Sequence, residues 1–309
     1  MRFNKLFERL RSFNESKICK ICGEQKLLIF AHTATCKNCG TLLNFPYEEP
    51  REIEFLDRSL STSEYKDLQH RSQKWHISSG NRNHYNFTAM TVFCEEYLSR
   101  QSELNILDYG GGGGQFALIF KSMYPKAKCN IVDMNDYRLL EAYAPMNKQI
   151  KFSKFEYDAA KFDFIFLNDV FEHLTLPKET LELLRGKLKQ NGKVFIDTPC
   201  TFWLYPITKF FSKKIHKKLL VGTVDFDHQQ IWTTNSFYSI SQQTGFSVIK
   251  YKRLSEYTQP PEFYLDNMGI KNPFLRFLGK TFVFLAPFIA RNKIMAVLEI
   301  SKSIIRNDP

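Results

Sequence analysis

Five consecutive glycines, Gly110 to Gly114, follow directly on the apolar run Ile106-Leu107-Asp108-Tyr109 and lead into Gln115-Phe116. This run constrains the fold more than any other feature of the chain. Glycine allows left-handed backbone angles and lets a backbone approach a ligand with no Cβ in the way. A strand, a glycine turn and a helix start in that order place free amide donors at the mouth of the turn. Asp133 closes the next apolar run, 23 residues after Gly110. A carboxylate at that point suits both hydroxyls of a ribose. Two kinds of cofactor fit this much: a nicotinamide or flavin dinucleotide, and S-adenosylmethionine. The dinucleotide fingerprint can be laid on Gly112-x-Gly114-x-x-Ala117, but the acid Asp108 inside the first strand fits it poorly.

The flanking pattern alternates strands with helices. Strands are expected at Asn105–Tyr109, Cys129–Asp133, Phe162–Leu167, Gly192–Thr198, Phe246–Tyr251 and Ile294–Ile300, and helices at 86–101, Gln115–Tyr124, Pro177–Gln190 and Thr233–Thr244. Such alternation implies a doubly wound, mostly parallel sheet. A chain of 309 residues has room for that domain and an appendage.

The appendage carries its own signature. Cys19-x-x-Cys22 and Cys36-x-x-Cys39-Gly40 are two thiol pairs separated by thirteen residues. Each pair makes a tight turn presenting two sulfurs, and four such sulfurs suit tetrahedral zinc. Four cysteine ligands leave no open position, so the metal is expected to be structural, with His32 a bystander. Seven cysteines in this length do not suggest a disulfide scaffold.

Asp-x-Gly-x-Gly-x-Gly at 108, 110, 112 and 114 resembles the first motif of class I S-adenosylmethionine-dependent methyltransferases. The resemblance continues through Phe162-Asp-Phe-Ile-Phe-Leu-Asn168 and the Glu172-His173 pair, through Gly192-Lys-Val-Phe-Ile-Asp-Thr-Pro199, and through His228, Trp232-Thr233 and Gly245-Phe246. It covers about residues 78–255. It implies a Rossmann-like, mostly parallel seven-stranded α/β sheet with S-adenosylmethionine as cofactor. Asp108 would orient the loop and the cofactor's amino-acid end, with Gly110, Gly112 and Gly114 beneath it and Asp133 on the ribose. Met134 would pack on the adenine, Asp158 would contact it or simply cap a loop, and Asn168 would line the pocket. The family usually has Cys, Ser or Ala where this chain has Gly111, a departure the loop is expected to tolerate. The paired cysteines ahead of the domain resemble methyltransferases with an N-terminal zinc ribbon, many of which act in bacterial cell-surface polysaccharide or nucleotide-sugar pathways.

The resulting division is 1–50 for an amphipathic helix and zinc ribbon, 51–77 for a linker and helix, and 78–255 for the cofactor domain. Residues 256–309 supply a helical insertion and the last strand. The linker character begins at about residue 45. His173 and His228, on loops after the fourth and fifth strands, are the candidate bases for an acceptor that holds its proton; Asp225 and Asp227 either orient His228 or a substrate hydroxyl, or are turn residues.

Net charge is +11, concentrated at the two termini and in one internal segment, which points to an anionic partner. That segment, 201–224, holds Lys209, Lys213, Lys214, Lys217 and Lys218 with Phe210, Phe211, Ile215 and Leu219 on one helical face. It reads as a lid gripping a phosphate-bearing sugar or glycan, as a membrane-surface helix, or as a packing helix. Phe3, Leu6, Phe7 and Leu10 make the first helix amphipathic, suiting either a membrane surface or the protein's own body. The second insertion, 256–291, would cap the acceptor site or join a dimer. The N-terminus lacks an apolar signal segment, and the ten-residue run Thr281–Ala290 is too short to span a bilayer. The expected place is therefore the cytoplasm or the inner membrane face. The expected activity is methyl transfer to a sugar, nucleotide-sugar or glycan in cell-surface polysaccharide biosynthesis. The alternative is an rRNA or tRNA methyltransferase whose ribbon binds RNA.

Overall fold

The structure is a computed structural model that describes residues 2–30, 33–47, 86–99, 102–112, 114–133, 150–153, 161–200, 228–255, 261–267, 269–289 and 291–301. Met134, Asp158, the lysine-rich segment 201–224, Asp225 and Asp227 lie outside these residues.

The chain begins with helix α1 (Arg2–Glu15) and a small meander, β1 (Leu27–Phe30), β2 (Thr33–Cys36) and β3 (Leu42–Asn44). Helix α2 (86–93) and a 3-10 turn at Glu95–Tyr97 lead into the alternating part. There follow β4 (Asn105–Tyr109), α3 (Gln115–Met123), β5 (Lys128–Val132), β6 (Ile150–Ser153), β7 (Phe162–Asn168), α4 (Pro177–Arg185) and β8 (Leu188–Pro199). The chain then runs through β9 (Gln230–Ile231), α5 (Thr234–Gln243), β10 (Phe246–Leu254), α6 (Pro261–Asn267), α7 (Pro273–Ile289) and β11 (Lys293–Ile300).

Seven strands form one sheet in the order β10-β11-β8-β7-β4-β5-β6. Pairing is parallel from β6 across to β8, and β11 runs antiparallel between β8 and β10. The alternation of side chains along β7 explains its apolar centre, Phe164 to Leu167. Phe164 and Phe166 join Phe116, Phe120 and Phe195 on one face, and Ile165 and Leu167 join Leu107, Ile196 and Ala296 on the other. A strand buried on both faces reads as a continuous hydrophobic run. From β4 the chain moves outward through β5 to β6, then returns to lay β7 and β8 on the other side of β4. The carboxyl ends of β4 and β7 therefore flank the point where the winding reverses, the crevice where open α/β sheets bind ligands.

The sequence places α4 too far along. Residues Leu188 to Gln190, expected as helix, already belong to β8. Gly186 closes the helix, and a Cβ at Gly192 would stand 2.7 Å from the Phe162 carbonyl oxygen. This close approach of β8 to β7 needs the glycine, which lies inside the strand instead of opening it.

Residues 45–47 are not linker. Phe45 and Tyr47 are buried, their rings 5.3 Å apart, and the Tyr47 hydroxyl donates to the Ile18 carbonyl at 2.8 Å. The ribbon is also not a free appendage. Its sheet takes a fourth strand, β9, from far along the chain, pairing Leu42 with Ile231 and Leu43 with Gln230. Thr233 Oγ1 donates to the Cys39 carbonyl at 2.6 Å and the buried Lys20 ammonium to the Thr175 carbonyl at 3.1 Å. Arg9 on α1 meets Glu179 on α4 at 2.6 Å, and Phe13 packs against the core. The second half of α1 thus lies on the protein; the side chains of Phe3, Leu6, Phe7 and Leu10 lie outside the described residues.

Candidate functional site

The glycine loop occupies the crevice. Gly110, Gly112 and Gly114 have φ of 74°, 51° and 79°, the left-handed region that L side chains avoid. Gly110 N–H donates to the Val132 carbonyl at 2.6 Å and Gly112 N–H to Asp133 Oδ2 at 2.9 Å, so the end of β5 holds the loop open. A Cβ on Gly110 would stand 2.5 Å from Val170, but a Cβ on Gly112 would meet nothing within 4 Å. The loop therefore faces open space at Gly112. Gly111 packs down on Asp108: a Cβ there would stand 2.5 Å from Asp108 Oδ2.

Two sets of polar atoms around this space have no hydrogen-bond partner among the described residues. One is Asp108 Oδ2, and the other is both side-chain atoms of Asn168 at the end of β7. Buried polar atoms are rarely left so unless water, an ion or a ligand completes them. Burial, and then the neighbouring Asp133 carboxylate, push the Asp108 carboxyl up to about 8.

Beyond Asn168 the chain turns through Asp169, a non-glycine residue with φ 51°, to Glu172 and His173. The buried Glu172 carboxylate accepts from Thr198 Oγ1 on β8 at 2.8 Å and faces His173 Nε2 at 3.8 Å. Burial first, then the Asp169 carboxylate, push Glu172 well above the ordinary carboxylate range. The His173 and His228 rings lie 4.7 Å apart at 62°. Chain topology makes this pairing: Gln229 and Gln230 N–H both donate to the Glu172 carbonyl, and Gln230 Nε2 donates to the Phe171 and Leu174 carbonyls. The two histidines, 55 positions apart in the sequence, meet because β9 is clamped to this loop. The sequence marks Glu172 only as the neighbour of His173 in a pair and gives it no role of its own. Lys293 is unmarked; it reaches Asp169 at 3.0 Å and Asp197 at 2.9 Å from the first position of β11.

A second cluster lies in the ribbon. The sulfurs of Cys19, Cys22, Cys36 and Cys39 all lie within 4.8 Å of one another, with Cys19–Cys39 at 3.8 Å and Cys22–Cys36 at 3.5 Å. Bonds of about 2.3 Å at tetrahedral angles would separate zinc-bound sulfurs by about 3.8 Å. Gly23 and Gly40, with φ of 79° and 74°, turn the two knuckles, their N–H groups donating to the Cys19 and Cys36 carbonyls. Hydrogen bonding from the Cys19 thiol holds Cys22 down at about 4 and Cys39 at about 7, while burial pushes Cys36 up to about 11.

The sequence matches the family model described as a methyltransferase domain over residues 81–251, more than half of the chain. The chain belongs to this family. It is a class I S-adenosylmethionine-dependent methyltransferase. No curated protein sequence matches that of this methyltransferase. Among solved structures it is similar in fold to a coclaurine N-methyltransferase bound to N-methylheliamine and S-adenosylhomocysteine. That pair shares 14% identity over 69% of this chain and 71% of the other, with a TM-score of 0.50. It is likewise similar to a cyclopropane synthase from Mycobacterium tuberculosis, at 13% identity over 68% and 82% of the two chains and a TM-score of 0.50. The glycine cradle open at Gly112 and the orphaned atoms of Asp108 and Asn168 suit the family's cofactor.

Proposed function

We propose that this methyltransferase acts on a hydroxyl of a small acceptor, a sugar, nucleotide-sugar or glycan of cell-surface polysaccharide biosynthesis. S-adenosylmethionine, when bound, supplies an activated methyl group. Gly110, Gly112 and Gly114 form its cradle, Asp108 and Asn168 complete their unpaired atoms on it, and Asp133, held at the loop by Gly112 N–H, takes the ribose. Met134 and Asp158 remain proposals for the adenine side. The protein's part is to hold the two partners in line and to remove the hydroxyl proton. His173 and His228 are the groups proposed for that proton.

One observation favours a small acceptor over RNA. The first knuckle of the ribbon is not presented outward: Cys19, Lys20 and Ile21 are buried, and Lys20 is spent on the Thr175 carbonyl. A ribbon used this way acts as a wall of the catalytic domain. Four cysteines hold zinc in it on this reading, and metal analysis of the purified protein is expected to find one tightly held zinc that Cys36→Ser loses. The acceptor assignment is tested with radiolabelled S-adenosylmethionine against nucleotide-sugars, lipid-linked glycans and unmodified RNAs. Label moving to a sugar and not to RNA is expected; transfer to RNA alone would overturn it.

A further inference from the structure

A carboxylate oxygen of Glu172 and ring nitrogens of His173 and His228 all lie within 4.8 Å of one another at the edge where the acceptor would sit. The three come from two segments held together by backbone hydrogen bonds, from Gln229 and Gln230 N–H to the Glu172 carbonyl at 2.8 and 3.2 Å. Their order of burial is that of an open site. Glu172 is buried and fixed by Thr198, while His173 and His228 are part-exposed. Bonds of about 2.0–2.1 Å to imidazole and carboxylate at tetrahedral angles place such donors about 3.3 Å apart, so small rotations of the two rings would close the set. Two imidazoles and one carboxylate are a donor set for a divalent transition metal, and three protein ligands leave a position free for a substrate oxygen. Asp169 and Asp197 bring two further acidic side chains to this edge, where Lys293 contacts both.

We propose that Glu172, His173 and His228 bind a divalent transition-metal cation, distinct from the four-cysteine site, that takes the acceptor hydroxyl as its open ligand. The inference rests on the reading of this edge as the acceptor side and puts metal ligation in place of direct proton uptake by the two histidines. The cation acts as a Lewis acid that lowers the hydroxyl's pKa. The proton passes to solvent. The oxygen's lone pair then forms the O–CH3 bond while the S–CH3 bond breaks, leaving a neutral thioether. The donor set contrasts with the ribbon, where four thiolates fill every position.

The test uses the full chain, purified with its tightly held zinc and then freed of loosely held metal by brief chelation. Cobalt(II) is titrated in, followed by calorimetry and visible absorption. One further equivalent is expected, with the weak absorption of nitrogen and oxygen ligation and without thiolate charge transfer. His173→Ala and His228→Ala, both at part-exposed positions, should weaken that equivalent more than about tenfold while keeping the first zinc and the thermal midpoint. Glu172→Gln should do the same; should it fail to fold, the histidine variants carry the test. No further equivalent in the wild-type protein, or an unchanged one in both histidine variants, would overturn the proposal. S-adenosylmethionine binding is measured on the same samples. Cofactor binding without the second metal removes this inference alone, whereas loss of cofactor binding from the wild-type protein strikes the methyltransferase reading itself.

Discussion

Asp108 is buried beneath the glycine loop with one oxygen unpaired among the described residues, and its carboxyl is raised from 3.8 to about 8. Between about pH 4 and about pH 8 the unfolded chain has already lost this proton while the folded chain keeps it. The contribution of Asp108 to stability therefore falls as pH rises through that window. Asp108→Asn removes the titration, so urea denaturation from about pH 5 to about pH 8 should show a flatter stability profile than the wild type. An identical slope in both would contradict this environment for Asp108. At Gly112 a side chain would stand in the open space the loop faces: Gly112→Val should abolish cofactor binding, and its φ of 51° adds strain to a branched residue. Equilibrium dialysis showing wild-type affinity in that variant would mean the cofactor lies elsewhere. The glycine turn and the gathering of the four cysteines were legible from their spacing in the sequence. Glu172 was not. What singles it out is burial and a hydrogen bond from Thr198, 26 residues on, and neither leaves a trace in the local pattern.

The same contrast holds among the elements. Strands β4, β5, β7 and β11 are legible as apolar runs bounded by turn residues, and they appear within a residue of where the pattern puts them. Strand β9 has two residues, too few for any period, and exists because β3 of the ribbon offers it an edge. It is also the element that joins the ribbon to the histidines, through Gln229 and Gln230. Thr233 marks the next step of that connection, capping α5 by accepting from Ser236 N–H and donating to the Cys39 carbonyl. Thr233→Ala should cost about 1–2 kcal/mol by chemical denaturation. Because β9 carries the loop of His228, loosening the ribbon should reach the site: Cys36→Ser is expected to lower kcat several-fold while leaving cofactor affinity within about twofold. Equal loss of both would mean that the whole domain depends on the ribbon for folding.

At the scale of the molecule, the doubly wound sheet follows from alternation and the glycine run, but its joining to the ribbon does not, since a shared sheet between residues 42–44 and 230–231 is a matter of long-range pairing. No helix among the described residues is long and apolar enough to cross a membrane. Helix α7 nevertheless exposes Phe274, Phe277 and Phe284. The excess of positive charge, +11 over the chain, includes Lys213, Lys214, Lys217 and Lys218. Changing these four to Gln should weaken binding of a phosphate-bearing acceptor and reduce its salt dependence with cofactor affinity unchanged. Loss of binding to anionic vesicles, with normal kinetics on a soluble acceptor, would instead make the segment a membrane contact. The central claim is that the crevice between β4 and β7 is built for S-adenosylmethionine rather than for a dinucleotide. Calorimetric titration of the purified chain tests it most directly. The account predicts one S-adenosylmethionine bound per chain, displaced by S-adenosylhomocysteine, and no heat with NAD; binding of NAD without binding of S-adenosylmethionine would contradict it.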